Sequence, residues 1–190
     1  MELKFDHIIH YIDQLNQFEF PGKLLKLHNG GKHHQFGTYN QLSYINGNYI
    51  ELLDVEDKEK LKKVAKTEEG RVSFATKIAQ DDFNQGFKTI CLRTKNIEEV
   101  KATLQKKNID VIGPVRMERE NKKGDKVGWQ LLYIADPSYN VKPPFFIQWD
   151  ESEAYKEESL KDLYQKQFSI ETLVVSSEKR NLTVDNWIKW

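Results

Sequence analysis

The residues most able to do chemistry are concentrated near the N-terminus. All five histidines of the 190-residue chain lie within its first 34 positions, at His7, His10, His28, His33 and His34. Imidazole is a common metal ligand and the usual proton-transfer group near pH 7. The clustering therefore indicates a metal or acid–base site in this part of the chain, although a single histidine on a strand is more often a structural residue.

Glu51 is the carboxylate that such a site would use. It lies in the middle of the apolar run 49–55 (YIELLDV), which predicts a strand. An unpaired charge in that position is costly, so Glu51 needs a partner such as a metal ion, a histidine or a basic side chain like Lys32.

The strand pattern suggests a set of metal ligands. Alternation along 4–12 (KFDHIIHYI) places His7 on one face among apolar neighbours, and one of His33 and His34 must face the sheet interior unless both lie in a solvated loop. We predict that His7, His34 and Glu51 form a two-histidine, one-carboxylate triad, with His33 as the alternative middle ligand. Such a donor set suits a divalent metal, for which Fe, Mn, Ni and Zn are the candidates.

Residues in the second half of the chain are candidates for a pocket wall. Trp129, Arg119 and Gln148 offer the aromatic surface and the few polar groups that small-molecule pockets need. We predict them as substrate-binding residues; the alternative is that they are ordinary positions of a sheet. The single Cys91 lies in an apolar, strand-like run, which favours a buried, unreactive thiol.

Two similar successions of elements position these residues. Strands are predicted over 4–12, 33–45, 49–55, 87–94, 111–119, 128–135 and 145–149, and helices over 56–66, 96–108 and 151–167. The tripeptide NGN at 46–48 predicts a hairpin, whereas NGG at 29–31 predicts a turn. The prediction is completed by a short helix around 73–78, a strand over 171–177 and the start of a helix over 183–190.

With 33–45 counted as two strands, the order strand, connection and three strands occurs twice, which excludes a parallel doubly wound sheet. The predicted fold is α+β, with tandem βαβββ modules that form a cupped mixed sheet and a C-terminal extension of helix and strand. We expect a domain over 1–150, with module one at about 4–66 and module two at about 86–150. Residues 151–190 form the extension, interpreted as the start of a further unit.

Composition limits the partners. The chain has 29 basic and 29 acidic residues, so no overall positive field attracts nucleic acid or an anionic membrane. The sequence shows neither a signal-peptide pattern nor an apolar run of membrane-spanning length. A single cysteine cannot form an internal disulfide, so we expect a cytoplasmic protein. Its expected partner is a small molecule, with a homodimer as one option.

Four stretches together resemble a known family: FDHIIHYI from residue 5, GGKHHQFGTYNQLSYINGNYIELLDV from 30, DKVGWQLLYI from 125 and PPFFIQWD from 143. Over residues 4–150 the sequence is similar to a glyoxalase-like domain of the vicinal-oxygen-chelate superfamily, which includes glyoxalases, bleomycin-resistance proteins and dioxygenases. The resemblance implies paired βαβββ modules around a cup, often with a divalent metal held from the first and fourth strands.

Applied to this sequence, the resemblance implies His7 and Glu51 as ligands from module one, and Thr89 and Gln148 as the corresponding positions of module two. Thr89 departs from the His, Gln or Glu that the four-ligand enzymes use, which argues against a glyoxalase-type site. A dioxygenase-type triad within module one stays open.

Three functions are consistent with these patterns. The favoured one is a divalent-metal-dependent enzyme, a lyase, isomerase or dioxygenase, that acts on a small oxygen-bearing substrate. The second is a metal-free protein of the same fold that binds or sequesters a small molecule. The third is an interaction role for the extension, in which Trp187 and Trp190 would form an exposed apolar patch.

Overall fold

The computed structural model describes residues 2–120, 126–135 and 142–190, the side chains of 119 and 120 excepted. In these ranges the strands are β1 (Lys4–Tyr11), β2 (His28–His33), β3 (Thr38–Ile45), β4 (Asn48–Val55), β5 (Gly86–Arg93), β6 (Val111–Glu120), β7 (Lys126–Ile134) and β8 (Phe145–Trp149). The helices are α1 (Lys58–Val64), α2 (Thr76–Gln80), α3 (Ile97–Lys106), α4 (Glu153–Leu160) and α5 (Arg180–Lys189).

All eight strands form one mixed sheet in the order β2-β3-β4-β1-β5-β8-β7-β6. Strands β1 and β4 are parallel, as are β5 and β8, and the other neighbours are antiparallel. The two halves of the sheet therefore repeat one arrangement about the central β1–β5 pair. In the first half, two 3-10 turns, Leu15–Gln17 and Pro21–Lys23, stand where the second half has α3. The predicted α+β fold of two modules is confirmed.

The sheet curls into a cup. Its edge strands β2 and β6 come into contact, and just beyond β2 Gln35 Nε2 donates to Met117 Sδ over 2.7 Å. Inward-facing apolar side chains of both modules form a single core inside the cup. Phe74, from the segment between α1 and α2, inserts into this core and stacks on Phe145.

The β3–β4 hairpin forms as the NGN signal predicts. Asn46 and Gly47 have φ values of 42° and 84°, a left-handed turn that favours these two residue types. The turn pairs Tyr44 with Tyr49 and Leu42 with Glu51. This register sends Glu51 into the cup.

The NGG segment differs from its prediction, because 29–31 lies within edge strand β2 rather than in a turn. The Asn40 side chain crosses to β2, where its Oδ1 accepts a hydrogen bond from the Gly31 amide over 2.8 Å. A Cβ atom on Gly30 would lie 2.1 Å from the same oxygen. Glycine at this position thus allows a close approach between side chain and backbone.

Helix α3 matches its predicted range closely. Asn96 caps it by accepting from the Glu99 amide, and Ile97, Val100 and Leu104 are buried. They pack on the outer face of module two together with Phe146 and Trp190. The C-terminal tryptophan is thus buried against the domain rather than exposed.

The extension crosses the mouth of the cup. Residues that follow α4, Leu163 and Tyr164 among them, pack against Leu42, Tyr44 and Tyr49 on the inner side of module one. Residues 171–177, predicted as a strand, are not in a strand. The run has strand propensity, but the described structure pairs its backbone with no neighbouring strand, and propensity alone does not make one.

Candidate functional site

A small cavity at the centre of the cup is the candidate functional site. Its volume is about 40 Å³, enough for roughly three water molecules. The polar part of its wall consists of His7, His33, Asn40 and Glu51. The apolar part includes Phe74, Trp129, Leu131, Phe145, Ile147 and Trp149. The imidazole, amide and carboxylate groups of this site cavity therefore all come from module one, whose Ile9, Leu42 and Tyr49 also line it, and the module-two side is apolar.

A β-bulge brings Asp6 and His7 to the same place. In the β1–β5 pairing Phe5 lies opposite Leu92 and His7 opposite Cys91, so Asp6 is an extra residue without a partner. Its carboxylate Oδ1 lies 2.7 Å from His7 Nδ1. Because a carboxylate only accepts, the His7 Nδ1–H donates, and Nε2 is left facing the cavity.

Glu51 stands opposite that nitrogen. Its Oε2 lies 3.3 Å from His7 Nε2, and its Oε1 accepts from Asn40 Nδ2 over 2.7 Å. The Gly31 amide fixes which end of the Asn40 amide faces Glu51. The His7 ring is held between Tyr49, which stacks on it at 4.4 Å, and the edge contact with Phe145.

The short distance between His7 Nε2 and Glu51 requires a proton or another cation between them. With the proton of neutral His7 on Nδ1, its Nε2 is a hydrogen-bond acceptor, and so is an ionised Glu51. Two acceptors 3.3 Å apart repel each other unless a proton or another cation lies between them. The His7–Glu51 pair is thus built to hold a positive charge next to the cavity.

Asp6 is a buried carboxylate with several partners. Trp149 Nε1 donates to its Oδ2 over 3.2 Å, and the Lys156 and Arg93 cations lie 3.7 and 3.9 Å from the same oxygen. Burial acts to raise the pKa of Asp6, but the Lys156 charge and the His7 hydrogen bond outweigh it and hold the pKa well below its usual range. Asp6 is therefore an ionised anchor for His7.

The structure distinguishes His33 from His34. His33, the last residue of β2, is buried on the cavity wall, where its Nδ1 lies 3.1 Å from Thr38 Oγ1 and its ring meets Phe74. His34 lies in the exposed turn between β2 and β3. His34 is therefore not brought to the predicted triad. Among the described side chains, the ligand atoms of His7, His33 and Glu51 do not all come within 4.8 Å of one another.

The three predicted substrate-binding residues are not brought together. Trp129 is buried on the cavity wall beside Trp149. Gln148 is not on that wall: its Oε1 accepts from the Ile97 amide at the start of α3, on the outer face. Arg119 pairs through its backbone with Val127, and its side chain lies outside the described residues.

The observed register also corrects the positions assigned to module two. Cys91 pairs with His7 across the central strands, and Ile147 pairs with Arg93 as Glu51 pairs with Ile9. The module-two residues that reach the site are therefore Cys91, which lies opposite His7, and Ile147 on the cavity wall, whereas Thr89 and Gln148 are not on that wall. Ile147 offers no ligand atom, and burial raises the pKa of the Cys91 thiol well above its usual range.

Three site residues were missed by the sequence analysis: Asp6, Asn40 and Lys156. Alternation assigned Asp6 to the opposite face from His7, and only the bulge reverses this. Asn40 belongs to the quoted GGKHHQFGTYN stretch, where a buried polar residue on a predicted strand was an available signal. Lys156 comes from the extension, and no pattern in the sequence connects it with β1.

Comparison with known proteins agrees with this architecture. The family model described as a glyoxalase-like domain matches residues 5–190. The chain belongs to the glyoxalase-like domain family. This match includes the extension as well as both modules, and no curated protein sequence matches the chain.

Solved structures include similar chains. A hypothetical protein from Staphylococcus aureus is 59% identical, with a TM-score of 0.97 over all of this chain and 75% of that chain. A hypothetical protein from Bacillus halodurans C-125 is 19% identical, with a TM-score of 0.52 over 80% of this chain and 96% of that one. Streptomyces coelicolor methylmalonyl-CoA epimerase, in complex with 2-nitronate-propionyl-CoA, is 15% identical, with a TM-score of 0.52 over 76% of this chain and 92% of that one. The last two show a shared fold only.

The donor set of this glyoxalase-like domain is smaller than a four-ligand metal site needs. Members of the superfamily often bind divalent metals, but here the module-two positions are Cys91 and Ile147. Within the described side chains, the group of three ligand atoms within 4.8 Å of one another is Asp6, His7 and Cys91. Asp6 is already bound to Trp149 and His7. The residues present thus fit neither a four-ligand site nor the predicted triad, and His7 with Glu51 remains as a two-ligand pair.

None of the helices in the described part of the chain combines the length and apolar character that crossing a membrane requires.

Proposed function

We propose that this glyoxalase-like domain is an enzyme that transfers a proton to or from a small oxygen-bearing substrate in the site cavity. The observation that carries the proposal is the His7–Glu51 pair, two facing groups at 3.3 Å whose outer atoms are fixed by Asp6 and Asn40. Structural residues seldom need this arrangement, because it brings two buried carboxylates to one imidazole. A site that must hold and release a proton does need it.

Each member of the pair has a distinct role in this proposal. Glu51, held by Asn40, accepts the proton from a carbon next to a carbonyl group. His7, oriented by its hydrogen bond to Asp6, donates from Nε2–H to the carbonyl oxygen, where negative charge develops. The aromatic ring of Tyr49 excludes water from one side of the imidazole.

The cavity wall indicates the shape of the substrate. Its polar side offers His7, Glu51 and Asn40 to an oxygen-bearing group, and its apolar side faces the substrate with Phe145, Ile147 and neighbouring rings. A volume of about 40 Å³ admits only the reacting end of a molecule. Methylmalonyl-CoA epimerase, which shares the fold, is bound to a CoA ester, so we include acyl thioesters among the candidate substrates.

Solvent-deuterium exchange tests the proposal. We would incubate wild-type protein in D2O with 2-oxo acids, α-hydroxyketones and short acyl thioesters, and follow the loss of the C–H signal by proton NMR. We expect exchange for at least one class, and a loss of about a hundredfold or more in His7→Gln and Glu51→Gln. Lys62→Gln, an exposed change on α1, is the matched control and should exchange like the wild type.

A divalent-metal-dependent reaction is the second candidate. It is favoured by the Asp6–His7 Nδ1 hydrogen bond, because metal-binding histidines usually donate their other ring nitrogen to a carboxylate. In that case His7 and Glu51 would hold Fe, Mn, Ni or Zn, which would polarise substrate oxygens. Plasma mass spectrometry of untagged protein decides between the candidates: near-stoichiometric metal that is lost in Glu51→Ala supports the metal, and its absence after anaerobic loading excludes it.

We further propose that the protein acts in the cytoplasm on a small molecule alone, with a homodimer as its assembly. The reduced, fully buried Cys91 supports the location. Cell fractionation and light scattering test these statements, and a monomer in solution would remove the dimer.

A further inference from the structure

One lysine of the extension reaches the candidate site. Lys156 lies on α4, whose other side chains are mostly exposed. Its Nζ is 3.7 Å from Asp6 Oδ2 and 3.6 Å from the centre of the Trp149 ring. Only 20% of its side chain is exposed. Helix α4 thus places a cation beside Asp6, the carboxylate that holds His7.

Burial of this lysine calls for an explanation. An ammonium ion is strongly hydrated, and lysine on a surface helix normally keeps its charge in water. Burial lowers the pKa of Lys156, and the Asp6 carboxylate acts against that change. The Trp149 ring, whose Nε1 also donates to Asp6, adds a cation–π interaction with Lys156.

Two other groups around Asp6, Arg93 and Trp149, differ from Lys156 in their bonding. Arg93, on β5, donates to the Phe5 carbonyl and to Asn48, and pairs with Glu153. Trp149 donates a neutral hydrogen bond. Lys156, by contrast, has Asp6 as its ion-pair partner among the described residues. Arg93 shares its charge between Asp6 and Glu153, whereas the ion pair described for Lys156 is the one with Asp6.

We propose that Lys156 is a positioning residue, which holds the Asp6 carboxylate against His7 Nδ1 and so keeps Nε2 directed at Glu51. The extension is then a part of the functional site contributed from outside the two modules. This inference rests on the proposed function, in which His7 Nε2 touches the substrate. The test of the positioning role needs no substrate, so the role of Lys156 and the proposed enzymatic function can be refuted independently.

The experiment measures the His7 Nδ1 proton in the full chain by nitrogen-15 NMR, with His7→Gln to assign the signal. A proton held between Nδ1 and a buried carboxylate exchanges slowly with water. In Lys156→Met we expect its exchange to be at least about tenfold faster. Lys156→Arg should restore slow exchange to within about threefold of the wild type, because it keeps the charge.

Lys161→Met is the matched control, since Lys161 follows the same helix and pairs with exposed Glu158. It should leave the His7 signal unchanged. Near-ultraviolet circular dichroism confirms that each variant is folded. Exchange that is equally slow in folded Lys156→Met, or equally fast in Lys156→Met and Lys156→Arg, would overturn the proposal. If Lys156→Met fails to fold, Lys156→Gln takes its place with the same expected result.

Discussion

The two modules of the cup use one backbone arrangement for different purposes. Module one presents His7 and Glu51 to the site, whereas module two presents Cys91 and Ile147. The apolar neighbours are alike in the two halves, since Leu42 pairs with Glu51 as Leu131 pairs with Ile147. Polar groups that could do chemistry are therefore concentrated in one half.

The two modules share one backbone fold but present side chains of different polarity to the cavity. The apolar half forms a packed wall of the cavity that keeps water from the polar half. The polar half holds buried charge, which is costly unless each group has partners. The comparison predicts that changes in module two affect stability most, and that changes in module one affect chemistry most.

The largest effect on stability is expected from Phe145→Ala. Phe145 is buried and its ring contacts Phe74, Tyr133 and His7. Removal of a buried ring leaves a cavity, so the free energy of unfolding should fall by about 3–5 kcal/mol in urea denaturation. The control Phe87→Ala, on a ring that is 61% exposed, should cost far less. A small loss for Phe145→Ala would show that module two is not the supporting wall.

A smaller loss, of about 2–3 kcal/mol at pH 7, is expected from Asp6→Asn, because the neutral amide leaves Lys156 and His7 without their carboxylate. The pKa of Asp6 is lowered in the folded protein. Its stabilising contribution is therefore present above the unfolded pKa of about 4 and is lost as the pH falls further. Unfolding measured from pH 7 to pH 3 should show the gap between wild type and variant narrow only below about pH 4. A gap that is constant down to pH 3 would contradict the ionised state of Asp6.

The smallest effect on stability is expected from Glu51→Gln, within about 1 kcal/mol of the wild type. Glutamine keeps an oxygen that accepts from Asn40 and can donate its amide to His7 Nε2. A thermal-unfolding comparison checks this value. Strong destabilisation would mean that Glu51 is mainly a structural residue, which would weaken the contrast between the modules.

Much of the fold was predictable because it depends on local patterns. The alternation in β1, the NGN turn before Tyr49 and the Asn96 cap of α3 each have a short-range physical cause. The placement of His7 and of Glu51 on apolar strands followed from the same rules. The succession of strands in the two modules could be derived in this way, whereas the strand at 29–31 was missed and the strand predicted over 171–177 does not form.

The rest of the site depends on effects that a single strand does not show. A β-bulge in β1 brings Asp6 to the same side as His7. Strand β2 ends at His33, so His34 lies in the turn that follows and not on the cavity wall. The run FFIQW is apolar on both faces, so alternation did not reveal that Gln148 faces outward. Lys156 reaches Asp6 only because α4 crosses the mouth of the cup.

The most direct test of this account compares matched positions of the two modules in one assay. Deuterium incorporation into the best substrate would be measured for the wild type, Glu51→Gln and Ile147→Val. We expect exchange by Ile147→Val within about threefold of the wild type, and exchange by Glu51→Gln slower by about a hundredfold or more. Undiminished exchange in Glu51→Gln, or an equal loss in both variants, would contradict the claim that the chemistry belongs to module one.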